Sequence, residues 1–238
     1  MIRKTVLMCA AAAALLCVPS ATYAQTADEI VAKNIAAKGG EAKLKAVQTL
    51  RQTGTLTIQG QTAQLMSVAK RPNLSRQEIS IMGTTITMVF DGTKAWMLNP
   101  MAGTDAMEMP AEQVEMIKDQ ADIDGPLMDY KAKGSTVDLV GVEDVGGRKA
   151  FHLRITRKGL PPTELFIDSQ NYLDVKAVTS VPGTGTMELA FSDYRSVDGM
   201  MVPFSVKSSA AGMTISELKL DSVAFNVPLP ADAFKIKK

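Results

Sequence analysis

Cysteine, histidine and tryptophan are almost absent from this sequence, and each shortage excludes a kind of chemistry. Among 238 residues there are two cysteines, one histidine and one tryptophan. The cysteines, Cys9 and Cys17, both precede residue 24, so the rest of the chain has no thiol for a disulfide, a nucleophile or a cysteine-bound zinc ion. The single histidine, His152, cannot form a zinc site without further histidine or cysteine ligands.

Motifs of the common enzyme classes are also missing. The chain contains no Gly-x-Ser-x-Gly elbow, no His-Glu-x-x-His helix and no phosphate-binding loop. Because His152 alternates with Phe151 and Leu153, it is predicted to face outward, where it offers no base for a serine nucleophile. We therefore expect a protein that is not an enzyme, binds no metal and needs no cofactor.

Neither sign of charge dominates the chain. The formal net charge of the whole sequence is +1. Without Arg3 and Lys4, the 26 basic residues fall to 24, against 25 acidic residues. A nucleic-acid-binding protein needs a basic excess and a clustered basic face, so nucleic acid is not an expected partner.

The first residues have the pattern of a secretory signal peptide. Arg3 and Lys4 precede an apolar run from residue 6 to residue 18, which is too short to cross a bilayer. Pro19-Ser20 interrupts this run, and Thr22-Tyr23-Ala24 offers a cleavage site with small residues. We therefore divide the chain into a signal peptide at residues 1–24 and one domain at residues 25–238. We expect the mature domain to be soluble, monomeric and located in the periplasm.

Helical signals occur near the start and in the middle of this domain. Thr26 and Glu29 have the spacing of a capping box, which predicts a helix as far as about Lys38, where two glycines end it. A short helical turn is predicted at residues 41–47. Pro110 predicts the first turn of a helix over residues 111–120, and a second short helix or turn is predicted at residues 126–131.

Elsewhere the apolar residues recur with a period of two, which predicts β-strands. Tight-turn pairs such as Asp91-Gly92, Gly146-Gly147 and Asp198-Gly199 separate about eleven or twelve of these strands in meander order. So long an antiparallel sheet must close or curl to protect its edges. With few helices available, we expect a mainly β fold: a curved antiparallel sheet of about 11 strands forming an incomplete, half-open β-barrel that is plugged by helices.

A curled sheet facing an apolar helix is the physical arrangement of a lipid pocket. The side chains predicted to line this cavity are Leu56, Ile58, Met66, Val68, Ile79, Ile81, Ile86, Met88, Trp96, Leu98, Val114, Ile117 and Leu127. Methionines such as Met97, Met107 and Met109 crowd the same region, and flexible thioethers suit an adaptable surface. The same alternation is equally typical of a filled core, and periodicity does not distinguish the two.

Two motifs carry a resemblance to a known family. The segment Lys70-Arg71-Pro72-Asn73-Leu74, and Asp91-Gly92 followed by Trp96 and Asn99-Pro100, resemble the LolA family of outer-membrane lipoprotein-sorting proteins. The resemblance implies a half-open barrel with a helical lid over an apolar cavity. It also implies that Arg71 hydrogen-bonds to the lid and latches the closed state. Ser75 and Arg76 depart from the family pattern, which has apolar or aromatic residues there.

The family also implies a function. Its carriers bind lipid acyl chains or lipoproteins, receive them from an inner-membrane ABC transporter and deliver them to an outer-membrane receptor. The alternative is a periplasmic sensor or regulatory module of the same fold that binds a lipid-like or protein signal. A structural envelope protein with a filled core remains a third interpretation.

Overall fold

The computed structural model describes residues 25–181 and 185–236, so the predicted signal peptide lies outside the described residues. Its α-helices are α1 (Ala27–Ala37), α2 (Glu41–Ala46) and α3 (Ala111–Gln120). The Thr26 hydroxyl accepts a hydrogen bond from the Glu29 amide, and the Glu29 carboxylate accepts one from the Thr26 amide. The capping box predicted for α1 is thus confirmed. Within the described ranges, no helix is long and apolar enough to cross a membrane.

Thirteen strands make up the rest of the regular structure that is described. They are β1 (Thr49–Ile58), β2 (Gln61–Lys70), β3 (Leu74–Ile81), β4 (Thr84–Phe90), β5 (Ala95–Leu98), β6 (Met107–Glu108), β7 (Thr136–Val145), β8 (Arg148–Thr156), β9 (Thr163–Asp168), β10 (Asp174–Val181), β11 (Gly185–Val197), β12 (Met200–Ala210) and β13 (Met213–Phe225). The extra strand relative to the prediction is β6. It has two residues, too few for a period of two to be visible in the sequence.

The strands form one antiparallel sheet in the order β6-β5-β4-β3-β2-β1-β13-β12-β11-β10-β9-β8-β7. Consecutive strands of the chain are paired, except for β6 and β7, which form the two outer edges of the described sheet. At the centre of the sheet, β1 also pairs with β13. The sheet is curved and does not close, so the predicted half-open barrel is confirmed. Of the short helix or turn predicted at residues 126–131, the structure has turns, because Gly125 and Asp129 adopt positive φ values of 65° and 50°.

The strand register assigns the side chains to two faces of the sheet, because alternate residues of a strand point in opposite directions. Ile30 of α1 packs in one buried cluster with Leu153 of β8, and Ile117 of α3 packs against Phe90 of β4. We call the face that carries these helices the inner face, and the opposite one the outer face. The helices therefore plug the barrel from the inner face.

Different amounts of apolar burial hold α1 and α3 in place. The cluster beneath α1 includes Ile30, Leu153 and Ile167, all with no exposed surface. The cluster beneath α3 is smaller, and the α3 residues that pack against it are only partly buried. Since hydrophobic stabilisation scales with the apolar area removed from water, α3 is held less firmly by its core than α1.

His152 lies on the outer face, as predicted from its alternation, but its neighbours leave it only 9 % exposed. Its Nδ1 lies 2.6 Å from Glu143 Oε1 and its Nε2 lies 2.7 Å from Glu164 Oε2. The ring also stacks on Phe166, with 4.4 Å between centroids. His152 thus clamps β7, β8 and β9 together on the outer face.

Changing His152 to alanine should therefore destabilise the fold although the residue has no predicted chemical role. Two hydrogen bonds to carboxylates would be lost, and we expect a decrease of about 2–3 kcal/mol in the free energy of unfolding. Urea unfolding measures this change. Lys149→Ala, at an exposed position of the same strand, is the control, and equal effects of the two substitutions would contradict the clamp.

Candidate functional site

Two rows of apolar side chains cross the inner face between α3 and α1. In the first row, Ile86 of β4 pairs with Ile79 of β3, which pairs with Leu65 of β2. In the second row, which five strands share, the side chains are in direct register: Ala63, Leu56, Leu218, Val206 and Phe191. Leu65 and Ala63 are buried, whereas the other members are half-buried. The rows are thus continuous apolar surface that the helices do not fully cover.

A small cavity lies where the inner face meets α3. Its volume is about 110 Å³, and its lining includes Ser67, Gln77, Met88, Phe90 and Ile117. Ligand pockets usually have volumes of about 300–1,000 Å³. In this conformation α3 therefore closes over the sheet, and a lipid-sized ligand requires α3 to move.

Nine of the residues predicted to line a cavity lie on the inner side of the barrel. The strand residues among them are Leu56, Ile58, Ile79, Ile81, Ile86 and Met88. Val114 and Ile117 pack on the sheet from α3. Leu127, which is 4 % exposed, instead belongs to the cluster beneath α1. The structure thus brings together the strand residues and the α3 residues, and it places Leu127 in the neighbouring core.

The other four, Met66, Val68, Trp96 and Leu98, lie on the outer face, so the predicted residues do not all line one cavity. Alternation shows which residues of a strand share a face, but register decides which face is inside. The two-residue turn between β1 and β2 pairs Ile58 with Gln61 and thereby places Ala63 opposite Leu56. The inner-face positions of β2 include the small Ala63 and the polar Ser67, so hydrophobicity alone does not reveal this register. The length of the hairpin turn would have indicated it.

Arg71, in the loop between β2 and β3, connects three parts of the chain. Its Nε donates to the carbonyl of Val47, and its Nη2 donates to the carbonyl of Leu44 at 3.1 Å. The same guanidinium grips both carboxylate oxygens of Asp124, with Nη2 2.6 Å from Oδ1 and Nη1 bonded to Oδ2. Arg71 therefore ties the strand loop to α2 and to the turn that follows α3. Asp124 was not among the residues predicted from the sequence.

Three aspartates near the C-terminal end of α3 each pair with a cation from outside this helix. Besides the Asp124–Arg71 pair, both oxygens of Asp119 accept from Arg157, and Asp122 pairs with Lys133. We call Asp119, Asp122 and Asp124 the acidic end of α3. Carboxylates at a helix C-terminus oppose the helix dipole, so these ion pairs stabilise an intrinsically unfavourable arrangement. This end of α3 thus depends on electrostatic contacts that a movement of α3 would break.

The hydrogen bonds from Arg71 lower the pKa of Asp124, and burial of the carboxyl opposes this effect. A carboxyl whose pKa is lowered by folding stabilises the folded state above its unfolded pKa of about 3.9. That contribution is lost as the pH falls through the lowered value.

We therefore expect Asp124→Asn to be less stable than the unmodified protein at pH 6 and to approach it in stability as the pH falls below about 4. Urea unfolding at a series of pH values measures the difference. Asp138→Asn, at an exposed position of β7, is the control. A stability difference between Asp124→Asn and the unmodified protein that is the same at pH 6 and pH 3 would contradict the charged pair.

Metal chemistry receives no support from the described ranges, where no group of three or more histidine, cysteine, aspartate or glutamate side chains is placed to hold an ion. The site is instead an apolar surface beside α3. Its geometry suits binding of an apolar chain.

No protein-family model matches the sequence, and no curated protein matches it. Solved structures do match. A DUF1329 family protein from Desulfovibrio piger has a TM-score of 0.61 at 13 % identity, over 89 % of this chain and 98 % of that chain. An outer membrane lipoprotein-sorting protein domain from Vibrio parahaemolyticus has a TM-score of 0.60 at 13 % identity, over 87 % and 95 %. A LolA superfamily protein from Nitrosomonas europaea has a TM-score of 0.58 at 16 % identity, over 90 % and 99 %. The chain therefore has a LolA-like fold, as its sequence motifs predicted.

Proposed function

We propose that this protein is a periplasmic carrier that binds lipid or lipoprotein acyl chains on its inner face and moves them towards the outer membrane. The observation that carries the proposal is the pair of largely half-buried apolar rows beside a helix that has a small core and ion pairs at its C-terminal end. The fold shared with a lipoprotein-sorting domain and a LolA superfamily protein supports it. An inner-membrane ABC transporter and an outer-membrane receptor are the proposed exchange partners.

The energetics of acyl chains explain why a carrier needs such a surface. Transfer of an alkyl chain out of water is favourable by about 0.8 kcal/mol per CH₂, or on the order of 12 kcal/mol for a sixteen-carbon chain. The rows from Ile86 to Leu65 and from Ala63 to Phe191 can replace water along such a chain. Release requires an adaptable contact, and Met88 and Met109 beside α3 supply flexible side chains there.

Helix α3 acts as the lid in this proposal. The cavity beneath it is too small for an acyl chain, so binding requires α3 to move away from Phe90 and Ala95. The movement breaks the ion pairs at the acidic end of α3 but leaves the larger core beneath α1 intact. Arg71 is the latch that holds the closed state, because it bonds the turn after α3 and α2 together.

Native mass spectrometry of the protein purified from a Gram-negative periplasm, with lipid extraction, tests the proposal. We expect co-purified acyl-bearing molecules that are lost when Leu56 is changed to lysine. Thr57→Lys is the matched control, because Thr57 is the next residue of β1 and points to the outer face beside Glu217. The carrier function would be contradicted if the protein bound no lipid even after substitution of Arg71. It would also be contradicted if Leu56→Lys and Thr57→Lys lost bound lipid to the same extent.

A further inference from the structure

A larger cavity lies on the outer face, away from α3. Its volume is about 660 Å³, which is within the usual range of ligand pockets. Its floor is formed by β1 to β5, and its cover is residues 229–236, which we call the C-terminal flap. Three of the four predicted lining residues that lie on the outer face are part of this floor: Met66, Val68 and Leu98.

The floor is long in one direction, and three of its six lining residues, Met66, Val68 and Leu98, are apolar. One row across the strands contains Met66, Glu78, Thr87 and Leu98, and the next contains Arg51, Val68 and Arg76. From β1 to β5 there are four strand spacings, or about 19 Å. Leu229, Pro230 and Ile236 face this floor from the flap. The cavity therefore has the shape of a covered trough.

Among the described residues, two cations that line this trough have no side-chain partner, Arg51 on the floor and Lys235 on the flap. Arg76 is bonded to Glu78 at 2.7 Å, which neutralises its charge. The side chain of Arg51, in contrast, makes no hydrogen bond or ion pair among the residues that the structure describes. Lys235 lies on the flap with Asp232, which carries the opposite charge, whereas Arg51 is held on the strand β1. The β1 end of the trough thus presents an unpaired guanidinium beside apolar side chains.

The flap is attached mainly at its root. The Asn226 amide donates to the Thr49 carbonyl at 2.8 Å, and the Thr49 hydroxyl donates to the Val227 carbonyl at 2.7 Å. Within the described ranges, residues 229–236 make one hydrogen bond to the sheet, from Arg76 Nη1 to the Lys235 carbonyl at 3.3 Å. The cover can therefore be displaced without disturbing the strands.

We propose that this trough is a second binding site, for a single-chain amphiphile with one anionic group. The alkyl chain lies between the flap and the floor formed by Met66 and Leu98, and the anion pairs with Arg51. Arginine suits this role because its planar guanidinium binds carboxylate or phosphate oxygens in pairs. The site is independent of the proposed acyl-chain site, since the sheet separates the two.

Binding of palmitate and of its uncharged analogue hexadecanol tests the proposal by titration calorimetry. The measurements use the protein carrying Ile86→Lys, which blocks the inner face. We expect one bound palmitate per chain, with an affinity that Arg51→Gln lowers at least tenfold and Arg51→Lys lowers less. Hexadecanol should bind equally well to the Arg51→Gln variant, and Met66→Lys should abolish binding of both ligands.

Lys207→Gln is the control, because it removes an exposed cation on the same face of the sheet, two strands beyond β1. Unchanged palmitate affinity in Arg51→Gln would overturn the proposal. The proposal would also be overturned if Met66→Lys still bound palmitate and Ile86→Lys did not. That result would assign palmitate to the inner face. The last experiment measures binding to vesicles of phosphatidylglycerol. If the protein bound these vesicles through Arg51 but did not bind palmitate, the proposal of a single-chain ligand would be overturned.

Discussion

Replacing Arg71 by leucine should release α3 and speed the uptake of a fluorescent acyl ligand. The guanidinium of Arg71 bonds two carbonyls and both oxygens of Asp124, whose side chain is 13 % exposed. Removing one partner of a buried ion pair costs about 3–5 kcal/mol, because the other charge is left without compensation. Since this pair is partly exposed, we expect the free energy of unfolding to fall by about 3 kcal/mol.

Urea unfolding of Arg71→Leu, Asp124→Leu and the double variant gives the coupling between the two residues. Residues in one hydrogen-bond network usually show non-additive effects, and we expect about 1–3 kcal/mol of coupling here. Arg71→Lys keeps the charge but loses the paired geometry, so it should lie between the unmodified protein and Arg71→Leu.

Lid opening needs its own measurement. The chain has no cysteine after residue 17, so Gln113→Cys on the exposed side of α3 accepts a single environment-sensitive label. We expect Arg71→Leu to change the label's emission and to increase the rate of acyl-ligand uptake. A loss of stability with unchanged emission and unchanged uptake would mean that Arg71 has a structural role and is not a latch.

Changing Gly54 to alanine should disrupt the centre of the sheet. A Cβ at Gly54 would lie 2.4 Å from the carbonyl oxygen of Lys219 and 2.9 Å from the Cα of Leu220. Both are backbone atoms of β13, at the bulge where its register with β1 shifts. Neither can move without separating the strands, so we expect the free energy of unfolding to fall by about 3 kcal/mol.

Gly141→Ala is the matched control for this substitution. Gly141 also lies in a strand beside a register shift, but a Cβ there would meet nothing within 4 Å. We expect its free energy of unfolding to change little, or to rise slightly because alanine restricts the unfolded chain. Similar destabilisation in both variants, measured by thermal unfolding, would show that the loss comes from the strand backbone and not from the contact with Lys219.

Local signals in the sequence were sufficient for most of the fold. The Thr26 capping box placed α1, Pro110 placed the start of α3, and period-two patterns indicated the strands. The pairing of most strands followed because tight turns join neighbouring antiparallel strands, but the predicted meander order did not include the pairing of β1 with β13 or the separation of β6 from β7. The segment at residues 126–131 was harder, because its apolar residues permit a helix whereas the positive φ of Asp129 does not.

The candidate site was less predictable, because it depends on contacts between distant residues. Arg71 was identified from the family resemblance, but Asp124 lies 53 positions away and no local pattern pairs the two. The unusual concentration of aspartate at the end of α3 was a signal that could have indicated cationic partners. The outer-face cavity could not be foreseen, because it requires the last residues of the described chain to fold back over β2 and β5.

The pairing of β1 with β13 has a consequence for how the molecule forms. Leu50 lies opposite Phe225, so the central strands of the sheet come from opposite ends of the described chain. Contacts of such large sequence separation slow folding, because a long loop must close before the pairing is gained. A chain that emerges N-terminus first would keep this edge of β1 unpaired until β13 follows. Until then, the β1 edge is open to aggregation and to capture by chaperones.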